Sequence, residues 1–142
     1  MTTGAARRPR GEATRAALVA AGLTIVERDG IAAATTRQIA DEAGVPLGTV
    51  HYWFATKDDL LREVVAALLA QVRDGATRPS EAAGVAARLS EVFADYTAMD
   101  AGRQLALFEL TTHSVRTESL HGLARDQYET YRAAARDGVE PW

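Results

Sequence analysis

The stretch GVPLGTVHYWF, residues 44–54, decides the fold of this 142-residue chain because its composition suits two secondary structures. Its β-branched and aromatic residues favour a strand, but that strand would be apolar on both faces and the sequence offers no partner strand. As a helix, with about 100° per residue, the stretch has Val50 and Phe54 on one face. Gly48 and Tyr52 then lie on the opposite face. The sequence therefore predicts a helix that buries one face and exposes the other.

A second short helix is predicted just before this one. In ATTRQIADEAG, Thr35 and Gln38 have the spacing of a capping box, in which each side chain satisfies a backbone N–H group at the start of a helix. An apolar stripe follows, and Gly44 ends the helix. Two short helices joined by a turn that contains glycine form a helix-turn-helix.

The rest of the chain is also predicted to be helical, which makes the fold all-α. A first helix is expected over residues 12–29, ended by Gly30, and the turn-like segment DGATRPS, residues 74–80, is the best internal boundary. Start signals for the remaining helices lie at Thr56 with Asp59, Ser80, Asp100 and Ser119. We expect about seven helices and no strand.

Composition narrows the class of protein. The chain has no cysteine, which excludes disulfides, thiolate metal sites and cysteine nucleophiles. No stretch approaches ~20 uninterrupted apolar residues, so no membrane span is expected. Arg7, Arg8 and Arg10 precede no apolar segment, which argues against a secretory signal. We expect a cytoplasmic protein whose basic residues 1–11 form a flexible arm.

The net charge of −3 is unevenly distributed along the chain. Residues 1–62 carry eight basic and seven acidic side chains, a balance of +1, whereas residues 63–142 carry eight and twelve, a balance of −4. Because most of the acid lies in the second half, the first half can approach nucleic-acid phosphates. Charge permits DNA binding here without indicating it.

A long stretch around the two short helices resembles a known family. TTRQIADEAGVPLGTVHYWFATKDDLLREVV, residues 35–65, is similar to the DNA-binding signature of the tetracycline-repressor (TetR) family, and the similarity extends upstream to about residue 14. The resemblance implies an all-α homodimer. Its DNA-binding domain would span residues 12–57, and a helical domain at 58–142 would bind a small-molecule effector and supply the dimer interface.

The resemblance also implies which residues contact double-stranded DNA. Arg37 matches a position that often reads a base from the first helix of the motif. Residues that match groove-facing positions of the recognition helix are Leu47, Gly48, Thr49 and Tyr52. Residues that match phosphate-contacting positions are His51, Trp53 and Lys57. For Trp53, half-burial against the first helix is an equal alternative.

The sequence departs from the family pattern at three points. Pro46 stands where a capping serine is frequent, which removes a capping bond worth about 1 kcal/mol. His51 stands where tyrosine is common, which could make that contact pH-sensitive. The chain ends at RDGVEPW, before the two further helices of the family's dimer bundle. We expect either an incomplete 58–142 domain or dimerisation through other surfaces.

The second half offers candidates for an effector pocket, which would be mostly apolar with a few polar groups. They are Phe93, Tyr96, Phe108, Glu109, His113, Tyr128 and Tyr131. For each of them, ordinary helix packing is the alternative. Glu109 and His113 are one turn apart, but without a third ligand we expect no metal site, and no cofactor is expected.

These observations favour a ligand-responsive repressor that binds a palindromic operator through residues 47–54. The alternative is a helical interaction or small-molecule-sequestering protein that does not bind operator DNA on its own. An enzyme finds no support, because the sequence shows no nucleophile motif, phosphate-binding glycine loop or coherent acid–base pair.

Overall fold

The computed structural model describes residues 7–140, and all regular structure in that range is helical. This confirms the all-α prediction. The helices are α1 (Arg7–Asp29), α2 (Thr36–Ala43), α3 (Leu47–Trp53), α4 (Lys57–Ala76), α5 (Val85–Ala98), α6 (Ala101–Arg116) and α7 (His121–Val139). Short 3-10 turns, Ile31–Ala33 and Glu118–Leu120, precede α2 and α7. No helix within residues 7–140 is long and apolar enough to cross a membrane.

The first helix begins earlier than the sequence predicts. The predicted flexible arm covers residues 1–11, but α1 starts at Arg7; residues 1–6 lie outside the described part of the chain. Pro9 falls in the first helical turn, where its missing N–H group would have no acceptor within the helix. Gly11 then lies against the Trp53 ring, since a Cβ atom added at Gly11 would be 2.9 Å from Trp53 Cη2. The sequence around Gly11 does not predict this long-range contact.

Three predicted helix starts are confirmed by their capping bonds. At the start of α2 the hydroxyl of Thr35 accepts the N–H of Gln38 at 3.2 Å, but the predicted capping box is only half formed. The Gln38 side-chain oxygen accepts the Thr35 hydroxyl, and the Thr35 N–H donates to the Ala33 carbonyl instead. Thr56 and Asp59 form a complete capping box at the start of α4. The carboxylate of Asp100 accepts N–H groups from the first turn of α6.

The segment between α4 and α5 corrects two expectations. The predicted boundary at 74–80 begins inside α4, which continues to Ala76. Ser80 does not cap α5, because the N-cap residue is Gly84. The Ser80 hydroxyl instead accepts the N–H of Ala82 and donates to the Glu91 carboxylate. These bonds occupy the hydroxyl of Ser80, which lies five residues before the first residue of α5.

One apolar core joins the helix-turn-helix to the later helices. Buried residues of α1, α2, α3, α4, α6 and α7 belong to a single cluster. Helix α1 packs against α2, α4 and α6, and α4 also packs against α7. A Cβ atom added at Gly22 would lie 2.5 Å from Val64 Cγ2, so α1 and α4 approach closely at this point. The helix-turn-helix and the later helices therefore share one core, and α1 and α4 connect them.

Candidate nucleic-acid interface

The turn between α2 and α3 is set by a glycine. Gly44 adopts the left-handed conformation, with φ +67°, which glycine reaches without a Cβ clash. Its neighbour Val45 donates its N–H to the Ala40 carbonyl at 3.0 Å. Pro46 occupies the N-cap of α3 and makes no side-chain capping bond. The two helices thus form the predicted helix-turn-helix.

One face of α3 is fixed in the core. Val50 is fully buried and Phe54, directly after the helix, is 3% exposed. The guanidinium carbon of Arg15 lies 5.6 Å from the centre of the Phe54 ring, which adds a cation–π contact with α1. The predicted inward face is confirmed, and it fixes the rotation of α3 about its axis.

The opposite face of α3 is open. The Tyr52 side chain is 79% exposed and Leu47 is 41% exposed. Gly48 and His51 are also exposed, and Thr49 is half-buried. The face therefore presents two rings, a threonine hydroxyl and, at Gly48, backbone without a side chain to solvent.

Two cations flank this face at the ends of neighbouring helices. Arg37 lies in the first turn of α2 and Lys57 is the first residue of α4, and both side chains are exposed. Within residues 7–140 neither side chain has a recorded hydrogen bond or ion pair. The positive charge of Lys57 lies at the positive end of the α4 dipole, which is unfavourable. An anion bound next to Lys57 would therefore stabilise this end of the helix.

Trp53 takes up a position between the open face and α1. It is half-buried against the core, and its ring lies over Gly11. Its ring also meets Tyr52 edge-to-face, with centroids 5.1 Å apart and planes at 87°. The half-burial of Trp53 agrees with the alternative in which this residue packs against the first helix. Its edge-to-face contact also restricts the orientation of the Tyr52 ring. Phosphate contact by Trp53 stays a prediction.

No contact among residues 7–140 requires glycine at position 48. A Cβ atom added there would meet no atom of the described chain within 4 Å, and the residue is helical. A side chain would also favour the helix, since glycine costs about 0.5–1 kcal/mol relative to alanine. A molecule outside the protein can therefore approach the backbone of α3 closely at this position.

The structure divides the seven expected pocket residues among three places. Tyr96 and Tyr131 line a cavity of about 290 Å³ between α4, α5, α6 and α7, which opens to solvent beside the exposed Leu89. Phe93, Phe108 and Tyr128 are 70%, 63% and 57% exposed and lie outside this cavity. They miss it because each sits on the outward side of its helix, which the aromatic spacing alone does not reveal. The full lining is Val72, Ala76, Leu89, Val92, Tyr96, Met99, Leu107, Tyr131, Ala134, Ala135, Gly138 and Val139.

Glu109 and His113 lie in a different cleft, between α6 and the turn after α1. The Glu109 carboxylate accepts the N–H of Ile31 at 3.0 Å. Gly30, with φ +91°, gives it room, since a Cβ atom there would lie 2.8 Å from Glu109 Oε2. A second link joins Arg103 of α6 to Glu27 of α1 at 2.7 Å. Glu109 and Arg103 thus connect α6 to the turn before α2 and to α1, and neither they nor His113 line the cavity.

Sequence reasoning misses Arg88, which is 2% exposed. It donates to the carbonyls of Arg78 at 3.1 Å, Gly138 at 3.3 Å and Ala76, and to the Glu91 carboxylate at 3.1 Å. These bonds tie α5 to the carboxyl ends of α4 and α7. The hydrogen bonds from Ser80 and Arg88 lower the pKa of Glu91. The sequence feature that could have indicated the burial of Arg88 is its place within the apolar stripe of α5.

Gln127 is the second buried polar residue beside the cavity, and sequence reasoning misses it too. Its amide oxygen accepts the Thr111 hydroxyl at 2.8 Å, and its amide nitrogen donates to the Leu107 carbonyl at 2.9 Å and to the Tyr131 hydroxyl at 2.8 Å. Burial raises the pKa of Tyr131 above its ordinary value, although the bond from Gln127 opposes the shift. Tyr131 therefore stays a neutral phenol at physiological pH.

Comparison with known protein families finds a match in the region of the helix-turn-helix. Residues 18–64 fit the family described as bacterial regulatory proteins of the tetR family. The nicotine-responsive transcriptional repressor HdnoR of Paenarthrobacter nicotinovorans is 31% identical over 121 residues, 82% of this chain and 62% of that protein. The regulator BetI of Rhizobium meliloti is 38% identical over 49% of this chain and 34% of its own length. The chain thus spans less than two thirds of these curated relatives.

Solved structures extend the likeness beyond the helix-turn-helix. The protein SCO7518 of Streptomyces coelicolor A3(2) superposes with a TM-score of 0.74 at 28% identity, over 90% of this chain and 76% of that one. The multidrug binding protein EbrR, solved with ethidium, gives a TM-score of 0.67 at 25% identity over the same shares. At 90% coverage the similarity extends well beyond residues 18–64.

Proposed function

This chain belongs to the TetR family of bacterial regulatory proteins, and we propose that it is a ligand-responsive transcriptional repressor that binds a palindromic DNA operator. The observation that carries this proposal is the division of α3 into two faces. Val50 is buried completely, while Tyr52 two residues later is 79% exposed beside the open backbone of Gly48. A helix anchored on one side and open on the other suits the major groove.

Each exposed residue then has a role that its chemistry allows. Tyr52, Thr49, Leu47 and Gly48 would meet base edges and sugars in the groove, and Arg37 would read a base from α2. His51, Lys57 and Trp53 would contact phosphates. The phosphate contacts would set the position of the protein on DNA, and the base contacts would set the sequence.

A repressor of this kind would act as a homodimer. Two copies of α3 about 34–36 Å apart, or somewhat more, would enter successive turns of the major groove. The two-fold symmetry of the dimer would be matched by a palindromic operator. Because a bacterial operator lies in the cytoplasm, we propose that location for the protein.

The effector response would pass through α6. Helix α6 contributes Leu107 to the cavity wall and Glu109 and Arg103 to the links with Ile31 and Glu27. A ligand that fits the cavity better in one arrangement of α6 would favour the matching arrangement of the helix-turn-helix. It would shift the DNA-binding population by no more than its differential affinity for the two states.

Selection from a random pool of duplex DNA tests this function, because it requires no chosen operator sequence. Wild-type protein should enrich duplexes with two inverted half-sites, whereas Arg37→Ala/Tyr52→Ala protein should enrich none. Enrichment of unrelated sequences, or of the same palindrome by the double variant, would contradict the assignment of α3. A folded protein that enriches nothing would favour the sequestering alternative.

A further inference from the structure

The side chains that line the cavity between α4, α5, α6 and α7 carry no charge. Its twelve lining residues are aliphatic side chains, alanines, a glycine, Met99 and two tyrosines, with no Asp, Glu, Lys, Arg or His among them. An ionic ligand would lose its hydration here without gaining a counter-charge, which is strongly unfavourable. The rings of Tyr96 and Tyr131 attract cations, but such attraction is weaker than that loss. The wall therefore selects against charged ligands.

Two tyrosine hydroxyls belong to this wall, those of Tyr96 and Tyr131, and that of Tyr131 is held in place by a hydrogen bond. The Tyr131 hydroxyl oxygen already accepts a bond from Gln127, whose amide is held in place by Thr111 and Leu107. The amide cannot turn its oxygen toward Tyr131 without losing the bond to the Leu107 carbonyl, which can only accept. The hydroxyl hydrogen of Tyr131 has no recorded acceptor within residues 7–140. It is therefore available to an acceptor atom on a ligand.

We propose that this cavity binds an uncharged, largely apolar molecule whose single carbonyl, ether or hydroxyl oxygen accepts a hydrogen bond from Tyr131. The volume of about 290 Å³ lies at the small end of ligand pockets, which suits a compact molecule. The carboxyl ends of α4 and α7 are tied beneath the cavity by Arg88, so its floor is built before a ligand enters. This proposal rests on the proposed ligand-responsive function and names the ligand class.

Three fluorescent probes of different charge test the class directly. Full-length protein without DNA is titrated with neutral prodan, a naphthyl ketone, with cationic ethidium and with the anion 8-anilinonaphthalene-1-sulfonate. Prodan should bind at least about tenfold more tightly than either ion. Equal or tighter binding of ethidium or of the anion would overturn the proposal, and so would a failure of prodan to bind.

Tyrosine variants test the hydrogen bond. Tyr131→Phe should weaken prodan roughly three- to tenfold, the size of one neutral hydrogen bond, and leave N-phenyl-1-naphthylamine, which has no carbonyl, unchanged. Tyr128→Phe is the matched control, because Tyr128 lies on the same helix with its ring 6.3 Å from that of Tyr131 but is 57% exposed. An unchanged prodan affinity in Tyr131→Phe, or an equal loss in Tyr128→Phe, would contradict the assigned donor.

A variant that adds a negative charge to the cavity wall should gain affinity for a cation. Leu89 lines the cavity mouth and is 51% exposed, so a polar side chain is tolerated there. Leu89→Glu should bind ethidium at least about fivefold more tightly than Leu89→Gln, because only the carboxylate offers a counter-charge. Equal ethidium affinity in the two variants would contradict the role of the uncharged wall.

The two proposals fail separately. Probe binding is measured without DNA, so a chain that prefers prodan but enriches no operator loses only the DNA-binding function. A chain that enriches a palindrome but prefers ethidium loses only the ligand class.

Discussion

The carboxylate of Glu109 on α6 accepts a hydrogen bond from the backbone N–H of Ile31, 3.0 Å away, in the turn that leads into α2. The bond crosses from the helices that enclose the cavity to the helix-turn-helix. It forms because Gly30 has no side chain to block the carboxylate. The turn that leads into the helix-turn-helix is thus tied to α6 by a specific polar contact as well as by the apolar core.

Removing this contact should cost stability. Glu109→Ala leaves the partly buried N–H of Ile31 without an acceptor, which should lower the free energy of unfolding by about 1–3 kcal/mol in urea denaturation. Glu109→Gln is the control, because its amide oxygen can still accept the bond and should retain most of the stability. Equal losses in the two variants would show that the charge, and not the acceptor, is what matters.

Arg88 should be among the most costly residues to remove. Arg88→Ala strips the donor from three backbone carbonyls at the ends of α4 and α7, and we expect a loss of about 3 kcal/mol or more. Arg136→Ala should change the free energy of unfolding by less than about 0.5 kcal/mol, because that arginine is 74% exposed. A small effect of Arg88→Ala in urea denaturation would contradict the proposed tie between these helix ends.

Much of the fold could be predicted because local chemistry marks helix boundaries. Thr35, Thr56 and Asp100 cap helices in the structure as their side chains predict. The early start of α1 could not be predicted, because it goes with a contact between Gly11 and Trp53, 42 positions apart in the sequence. The prediction that Ser80 caps a helix is wrong because its hydroxyl is used by a nearer N–H group.

The two candidate sites differ in how well the sequence predicts them. The exposed face of α3 follows from helix geometry once Val50 and Phe54 are assigned to the core. The cavity does not, because an aromatic residue such as Phe93 or Phe108 gives no sign of which side of a two-sided apolar helix faces inward. Arg88 and Gln127 escape sequence reasoning because polar residues are normally assigned to the surface.

Gly48 allows stability and DNA binding to be separated. Gly48→Ala should leave the thermal midpoint unchanged or raise it, because the added methyl group meets open space and favours the helix. It should weaken binding to the selected operator at least about tenfold, because the methyl group enters the gap between backbone and DNA. Gly44→Ala is the opposite case: its φ of +67° makes alanine unfavourable, so it should lower the midpoint. Full operator affinity in Gly48→Ala would argue against close approach at this residue.

Lys57 should act on DNA without regard to sequence. Lys57→Ala should weaken operator and random duplex alike and reduce the slope of log affinity against log salt by about one unit per subunit. The measurement is a fluorescence-anisotropy titration at several salt concentrations. Arg132→Ala, which removes an exposed cation from α7, controls for the change in net charge. A loss confined to one operator sequence would contradict a phosphate contact.

The open face around α3 is proposed to bind DNA, and the operator affinity of Arg37→Ala/Tyr52→Ala protein tests that central claim most directly. The matched control is Tyr128→Ala/Arg132→Ala, which removes the same two residue types from the exposed face of α7. Circular dichroism should show native helix content in both. We predict that the first double variant loses about 2–4 kcal/mol of operator binding, roughly 30- to 1,000-fold, while the control binds like wild type. Wild-type affinity in the Arg37→Ala/Tyr52→Ala protein would contradict the central claim.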